Sequence, residues 1–379
     1  MATGPMTWEN WTRWTESQQV VSRFEAELWG GVGANREWIS VNSPYQVLNA
    51  FHKSSPDGVT APRVVVRAET VKITESNPST KDVARFHGGT FDDELAALIS
   101  LALGARFQSV GITRQWGLDG DPLGRPASLG VGSVHLPTRS ARGPVVPRLD
   151  KPADLSDVGP YFESYRNAGA VRASWIVRAS RLYQQAVWVA DSDPNQCWVM
   201  LVSAIEAAAQ TDDAGARSAD DDIELLPPSI AKVIRELPNL SADDHSRFVD
   251  ALRPITGSTK KFLSFFDRYS PPPPQHRIDG LTGAVDWVNL RKALRAVYDY
   301  RSTFLHDGTP FPWPMCTPPM TFDDHLGGRF TVEQPIGEGS AARGGSWLPA
   351  DLPMHLWVFE HAVRSALHAW WLEGSEGSA

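Results

Sequence analysis

Arg301 and His306 close the run Arg301-Ser302-Thr303-Phe304-Leu305-His306, and Asp307-Gly308-Thr309-Pro310 follows at once. A guanidinium is a permanent planar donor fork that fits phosphate, and an imidazole moves a proton near neutral pH. Together they are a minimal kit for cutting RNA without a metal. His306 would serve as general base on a ribose 2′-OH or as acid on the leaving 5′-oxygen, and Arg301 would hold the pentavalent phosphate. The products would be a 2′,3′-cyclic phosphate and a 5′-OH. The same two residues also suit the last turns of any helix, where cations meet the dipole and loose carbonyls. Spacing alone leaves both readings open.

The elements that must position this pair are helical. Apolar residues at Leu290, Leu294, Val297 and Leu305 mark a helix from about 285 to 306, with Arg301 in the gap of its stripe. A buried arginine needs a partner, because an unpaired buried charge is costly. Glu206 meets that need: it lies on the stripe Val199, Val202, Glu206, Ala209 of another helix. His306 lies about 140° round the axis from Arg301 in a regular helix. The two converge only if the helix frays or tightens at Asp307-Gly308, or if they meet the same pair of a second chain across a two-fold axis.

The chain changes character along its length. Trp8, Trp11 and Trp14, followed by Phe24, Leu28 and Trp29, read as a helical stripe stopped by Gly30-Gly31. Arg63 to Arg67 and Val71 to Ile73 read as strand. Asp92-Asp93-Glu94 opens a helix over Leu95 to Leu103, with Gly104 as its cap. Residues 117–160 are rich in Gly and Pro turns, and 131–160 reads as a linker between domains. From 161 the pattern is helical: Trp175, Ala179, Leu182, Ala186 and Val189 form one stripe. Short helices fit 228–237, 241–252 and 259–269, an acidic loop fits 211–222, and Pro271 to Pro274 is a stiff spacer. Residues 308–352 are loop-rich, and Pro353 to Leu372 forms a last helix with Leu356, Phe359, Val363, Leu367 and Trp370 on one face. The expected fold class is α+β: a mixed α/β domain over 1–130, an all-α bundle over 161–372 with the insert 308–352, and a tail over 373–379.

Bulk composition narrows the function classes. With 379 residues, 42% hydrophobic and 21% charged, the chain can bury the core of a globular protein. Its net charge of −8 argues against broad, non-specific binding to a polyanion but leaves room for a local basic pocket around Arg301. Cys197 and Cys316 supply neither a disulfide framework nor a zinc spacing, and a reducing cytoplasm is the simplest expectation. No signal-peptide pattern opens the chain, and no apolar run reaches the roughly 18 residues of a membrane span. Phe322-Asp323-Asp324-His325 lacks the spaced partners a metal would need, so no metal and no cofactor are expected. The glycine-rich run 336–345 lacks the Lys-Ser/Thr of a phosphate-binding loop and reads as surface loop, with Arg343 a candidate RNA contact. His361 and His368 share a face of the last helix but miss the spacing of a metal pair, so core or dimer contact is expected of them.

The stretch Val297-Tyr298-Asp299-Tyr300-Arg301-Ser302-Thr303-Phe304-Leu305-His306-Asp307-Gly308 resembles the motif of the HEPN superfamily, an arginine and a histidine at the end of a late helix. Trp198 to Glu206 is similar to the family's upstream helix, whose glutamate commonly faces the motif arginine. The resemblance covers about 161–372 and is greatest to the ApeA-like branch, where a variable N-terminal domain precedes the bundle. It departs in Ser302, where many active members carry Asn or Asp, and in the 308–352 insert. The resemblance implies a homodimer with both motifs at one interface, a metal-independent endoribonuclease with RNA as substrate, and a toxin or antiphage role. It implies Arg301 and His306 as catalytic residues, with Glu206, Ser302 and Asp307 in support, and an N-terminal domain that takes a regulatory ligand or protein. The alternative is a non-catalytic dimerisation, scaffold or nucleic-acid-binding module of the same fold.

Overall fold

The computed structural model describes residues 4–16, 18–54, 60–73, 79, 81, 83, 85–117, 125–126, 142–211, 247, 257–275, 277, 283–323, 329–335 and 340–373. The expected short helix over 228–237, that over 241–252 save Arg247, almost all of the acidic loop and tail, Asp324-His325 and residues 336–339 lie outside them. The fold is α+β.

Helix α1 (Met6–Thr15) carries the tryptophan stripe and buries Trp11 completely. The stripe does not continue as expected. Val20–Gly30 is a strand, β1, in which Phe24, Ala26 and Leu28 turn inward while Arg23, Glu25 and Glu27 alternate with them. Period-two alternation after the break at Gln18-Gln19 outweighs the aromatic spacing. Cross-strand charge then fixes the register. Strand β5 (Thr60–Val71) runs antiparallel to β1 with Arg67 opposite Glu25 and Glu69 opposite Arg23, and both pairs close as ion pairs at 2.6 and 2.8 Å. With β2 (Ala34–Asn35), β3 (Trp38–Ile39), β4 (Tyr45–Ser54), β6 (Phe107–Trp116) and β7 (Arg125–Pro126) the remaining strands of this part are in place. Six of these form one antiparallel sheet in the order β3-β4-β5-β1-β6-β7, from which β2 stands apart.

Helix α2 (Phe91–Leu103) lies on the inner face of that sheet. The Asp93 carboxylate accepts from the Thr90 backbone N–H (3.0 Å), and Gly104 ends the helix at φ 58°, as the sequence predicts. Glu94 reaches back to α1: its carboxylate accepts from the N–H groups of Met6 (3.1 Å) and Thr7 (2.7 Å), loose donors at a helix start. Leu95, Leu98, Ile99 and Leu101 are all fully buried, because the sheet covers one side of α2 and α4 (Ala170–Val189) the other.

The expected linker is packed chain from residue 142 onward. Val145, Val146, Leu149, Leu155 and Val158 are buried, β8 (Ala153–Asp154) pairs parallel with β2, and the core runs without a break from Trp11 to Trp371. The Gly and Pro residues there make tight turns whose intervening apolar side chains all find the core, which a composition reading cannot see. The helical part continues with α3 (Gly159–Asn167), α4, α5 (Pro194–Ala208), α6 (257–268), α7 (Leu290–Asp307) and α8 (Leu356–Glu373). Leu356, Phe359, Val363, Leu367 and Trp370 on α8 are fully buried. Between α7 and α8 the chain forms two short hairpins, β9 (Thr321–Asp323) with β10 (Arg329–Thr331) and β11 (Ser340–Ala342) with β12 (Gly345–Trp347). Among the described residues no helix is long and apolar enough to cross a membrane.

Candidate functional site

Helix α5 starts cleanly: the Asp193 side chain accepts from the Gln196 N–H at 3.1 Å, and Pro194 takes the first helical position. Its inward face, Trp198, Leu201, Val202 and Ile205, is buried, and Glu206 follows at the edge of that face. Helix α7 packs against α5. It buries Leu290, Leu294, Val297 and Tyr298, so the next residue along the same side is Arg301.

At this edge three side chains meet. Arg301 Nη2 donates to Glu206 Oε2 at 2.8 Å, and the Tyr298 hydroxyl donates to Glu206 Oε1 at 2.7 Å. Both carboxylate oxygens are engaged. The Arg301 guanidinium also lies 5.5 Å from the centre of the Tyr298 ring, within cation–π range. Burial, and then the bond to Glu206, push the Tyr298 phenol up to about 12, so it remains a donor at neutral pH. The arginine and glutamate side chains are 19% and 20% exposed, which leaves the pair half open to solvent. The other donors of Arg301 find no partner among the described residues, and its Nε is buried without one.

His306 does not join this group within one chain. Helix α7 stays regular through Asp307 and ends at Gly308, φ 70°, whose N–H reaches Phe304 O at 3.1 Å. With no fraying at His306, the five-residue step carries it away from α5, and both His306 and Asp307 are exposed. The described residues of the 308–352 segment leave His306 exposed. Phe311 stacks on Trp198 at 5.3 Å and lies about as far from Tyr300 and Phe304, at 6.1 and 6.2 Å, so the segment covers a different side of α7. Ser302 is half-buried on α7.

Arg343 stands apart from both. It sits at φ 49° in the two-residue turn between β11 and β12, with Gly344 at φ 84°, the paired positive angles of a tight hairpin turn. Its guanidinium stacks over Trp313 at 3.5 Å, and among the described residues no contact joins it to Arg301, Glu206 or His306. His368 is a core histidine: Nε2–H donates to Leu101 O at 2.7 Å and Nδ1 accepts from the Tyr161 hydroxyl at 2.8 Å. Among the described residues no group of three or more His, Cys, Asp or Glu is placed to hold a metal ion.

Tyr298 is the member that sequence reasoning missed. The signal was its three-residue step from Arg301 on one helix side, which brings both side chains over the same point of α5. Comparison with protein-family models, with curated proteins and with solved structures finds no match to the chain.

Proposed function

We propose that this chain is a HEPN-like, metal-independent endoribonuclease that acts as a homodimer, with Arg301 and His306 as its catalytic residues. The observation that carries the reading is Arg301 itself: it is anchored by Glu206 at one end, backed by Tyr298, and its other donors find no partner among the described residues, at an edge about one-fifth exposed. A guanidinium fixed in this way is preorganised for a phosphate and loses little freedom on binding one.

The reaction follows from the two groups. His306 takes the proton of a ribose 2′-OH, and the 2′-oxygen attacks the adjacent phosphorus. Arg301 stabilises the charge on the pentavalent phosphate, the P–O5′ bond breaks, and a protonated His306 gives its proton to the departing oxygen, leaving a 5′-OH and the 2′,3′-cyclic phosphate. Because Arg301 and His306 diverge within one α7, the acid or base reaches the phosphate from a second chain, and the partner subunit's His306 completes the site. Glu206 orients Arg301, and Ser302 and Asp307 flank the pair. The helical part from 161 to 372 is the nuclease bundle, the sheet-bearing part over 1–130 is a sensor for a regulatory ligand or protein, and the setting is cytoplasmic defence or toxicity. Arg343, stacked on Trp313, is a secondary RNA contact.

That same divergence also supports the rival, a non-catalytic dimerisation or nucleic-acid-binding module in which Arg301–Glu206 only joins α7 to α5. The two part on one experiment. Purified wild type and His306→Ala are incubated with total RNA in EDTA and the new ends are mapped. The nuclease reading expects cyclic-phosphate and 5′-OH ends from wild type alone. Equal cleavage by both proteins, or none from either, leaves the rival standing.

A further inference from the structure

A cavity of about 170 Å³ opens beside α8, far along the chain from Arg301. Glu360, His361 and Arg364 line it from α8, Arg148 and Lys151 from the turn after residue 146, and Arg277 from the segment before α7. None of these residues belongs to the Arg301 site.

The charges in this wall do not balance. Arg277 is matched outside the cavity by the buried Glu333, at 3.0 and 3.2 Å. His361 is a neutral donor: Nε2–H is committed to Pro272 O at 2.8 Å, and burial lowers its pKa. Among the described lining residues three cations then remain, Arg148, Arg364 and Lys151, against one carboxylate, Glu360. Glu360 already accepts from Arg364 Nε (3.0 Å) and from the Tyr183 hydroxyl (2.6 Å). Lys151 is exposed and makes no ion pair among the described residues.

The two guanidiniums are also pressed together. Arg148 donates to the last carbonyls of α2, Leu103 O at 2.6 Å and Gly104 O, and so caps the negative end of that helix. A β-carbon at Gly104 would collide with both Arg148 and Arg364, so the chain makes room for the pair with a glycine. Burial, and next the charge of Arg364, lower the Arg148 pKa, whereas at Arg364 burial is outweighed by Glu360, which raises its pKa, so the strain of the like charges falls on Arg148. Like charges held this close at a cavity wall are relieved by an anion between them.

We propose that this cavity binds a small phosphorylated anion, with Arg148, Arg364 and Lys151 as its cationic contacts. Arg148 spends two of its five N–H donors on the carbonyls and Arg364 spends two on Glu360 and His361, so each keeps N–H groups for a phosphate oxygen, and Lys151 adds a point charge at the rim. The volume corresponds to about five or six water molecules at roughly 30 Å³ each, and it falls short of the roughly 300 Å³ at which sites for drug-sized ligands begin. Its size therefore suits phosphate, pyrophosphate or a pentose phosphate. Its walls join the turn that caps α2 to α8 and to Thr331 of β10, so occupancy ties the sheet-bearing part to the helical part and to the segment between α7 and α8.

The test is calorimetric titration of the full chain with phosphate, pyrophosphate and ribose 5-phosphate in turn, at constant ionic strength set with chloride. At least one of the three gives saturable binding of one ligand per chain, and the tightest names the class. Lys151→Glu, a charge reversal at an exposed position, weakens that binding by about tenfold or more, whereas Arg178→Glu, outside the cavity, leaves it unchanged. Arg364→Met abolishes it in protein whose circular dichroism matches wild type. Absence of saturable binding by all three ligands overturns the proposal, and so does equal affinity in wild type and Lys151→Glu. Neither result bears on the RNA-cleavage assay of His306→Ala, so the two readings fail separately.

Discussion

Two of the arginine–carboxylate pairs that join elements of this molecule are built differently. Arg106, at the start of β6, donates to Asp191 Oδ2 at 2.7 Å and through Nε to Val187 O at 2.6 Å, while Asp191 Oδ1 accepts the Val145 N–H at 2.8 Å. Both side chains are 1% exposed. Arg301–Glu206 has the same charge pairing at a similar distance, yet it is one-fifth exposed and the arginine keeps donors without partners among the described residues. The first pair is closed on itself and ties β6 to the end of α4. The second spends one end of the guanidinium on anchorage and holds the other out. Desolvation makes the first costly to break, and incomplete pairing makes the second able to bind.

The largest expected effect tests the open pair. On the nuclease reading, His306→Ala lowers RNA cleavage by about 10²–10⁴-fold, the usual weight of a general acid–base, while its urea midpoint stays at the wild-type value. A fall in stability without loss of cleavage would place His306 among the structural groups. The next tests the closed pair. Arg106→Ala leaves Asp191 buried without its cation and should cost about 3–5 kcal/mol of unfolding free energy, read by urea denaturation. A cost below that of Arg301→Ala would erase the contrast.

Acid sharpens the contrast between dry and open groups. Burial lowers His368 to about 3 and His355 to about 4. As the pH falls below the ordinary histidine value of about 6.5, the unfolded chain takes up protons that the folded chain refuses. Stability from these residues is therefore complete above pH 6.5 and is lost on the way down to pH 4 and 3. Each histidine contributes up to about 1.4 kcal/mol per pH unit in that window. Denaturation between pH 7 and pH 5 should show this slope, and His368→Gln should reduce it by close to one proton. An unchanged slope removes His368 from the account. The smallest effect is at Tyr298→Phe, which takes one donor from Glu206 and should cost about 1–2 kcal/mol. The nuclease reading adds a higher KM for RNA at unchanged fold, because Glu206 loses the donor that fixes its second oxygen and holds Arg301 less rigidly.

Much of the helical part was legible because its signals are local. The Arg301–Glu206 contact followed from two charges on two apolar stripes, and the α2 boundaries followed from Asp93 and Gly104. Strand β1 was misread because Phe24, Leu28 and Trp29 fit a helical step, and only the partners Arg67 and Glu69 across the sheet make the alternation decisive. The packing of 142–160 was hidden by its own turn residues. The cationic cavity left no sequence signal, since Arg148, Lys151, Arg277 and Arg364 come from separate segments and only the fold adds their charges together.

Gly104 ends α2 and gives its missing β-carbon to two guanidiniums. Position 104 thus answers to two filters at once. An alanine fails on volume, and even an asparagine, which tolerates a left-handed backbone, fails for the same reason. In a saturation library selected for folded protein, this site should accept fewer residues than the buried apolar positions around it, such as Leu101, where one aliphatic can stand in for another.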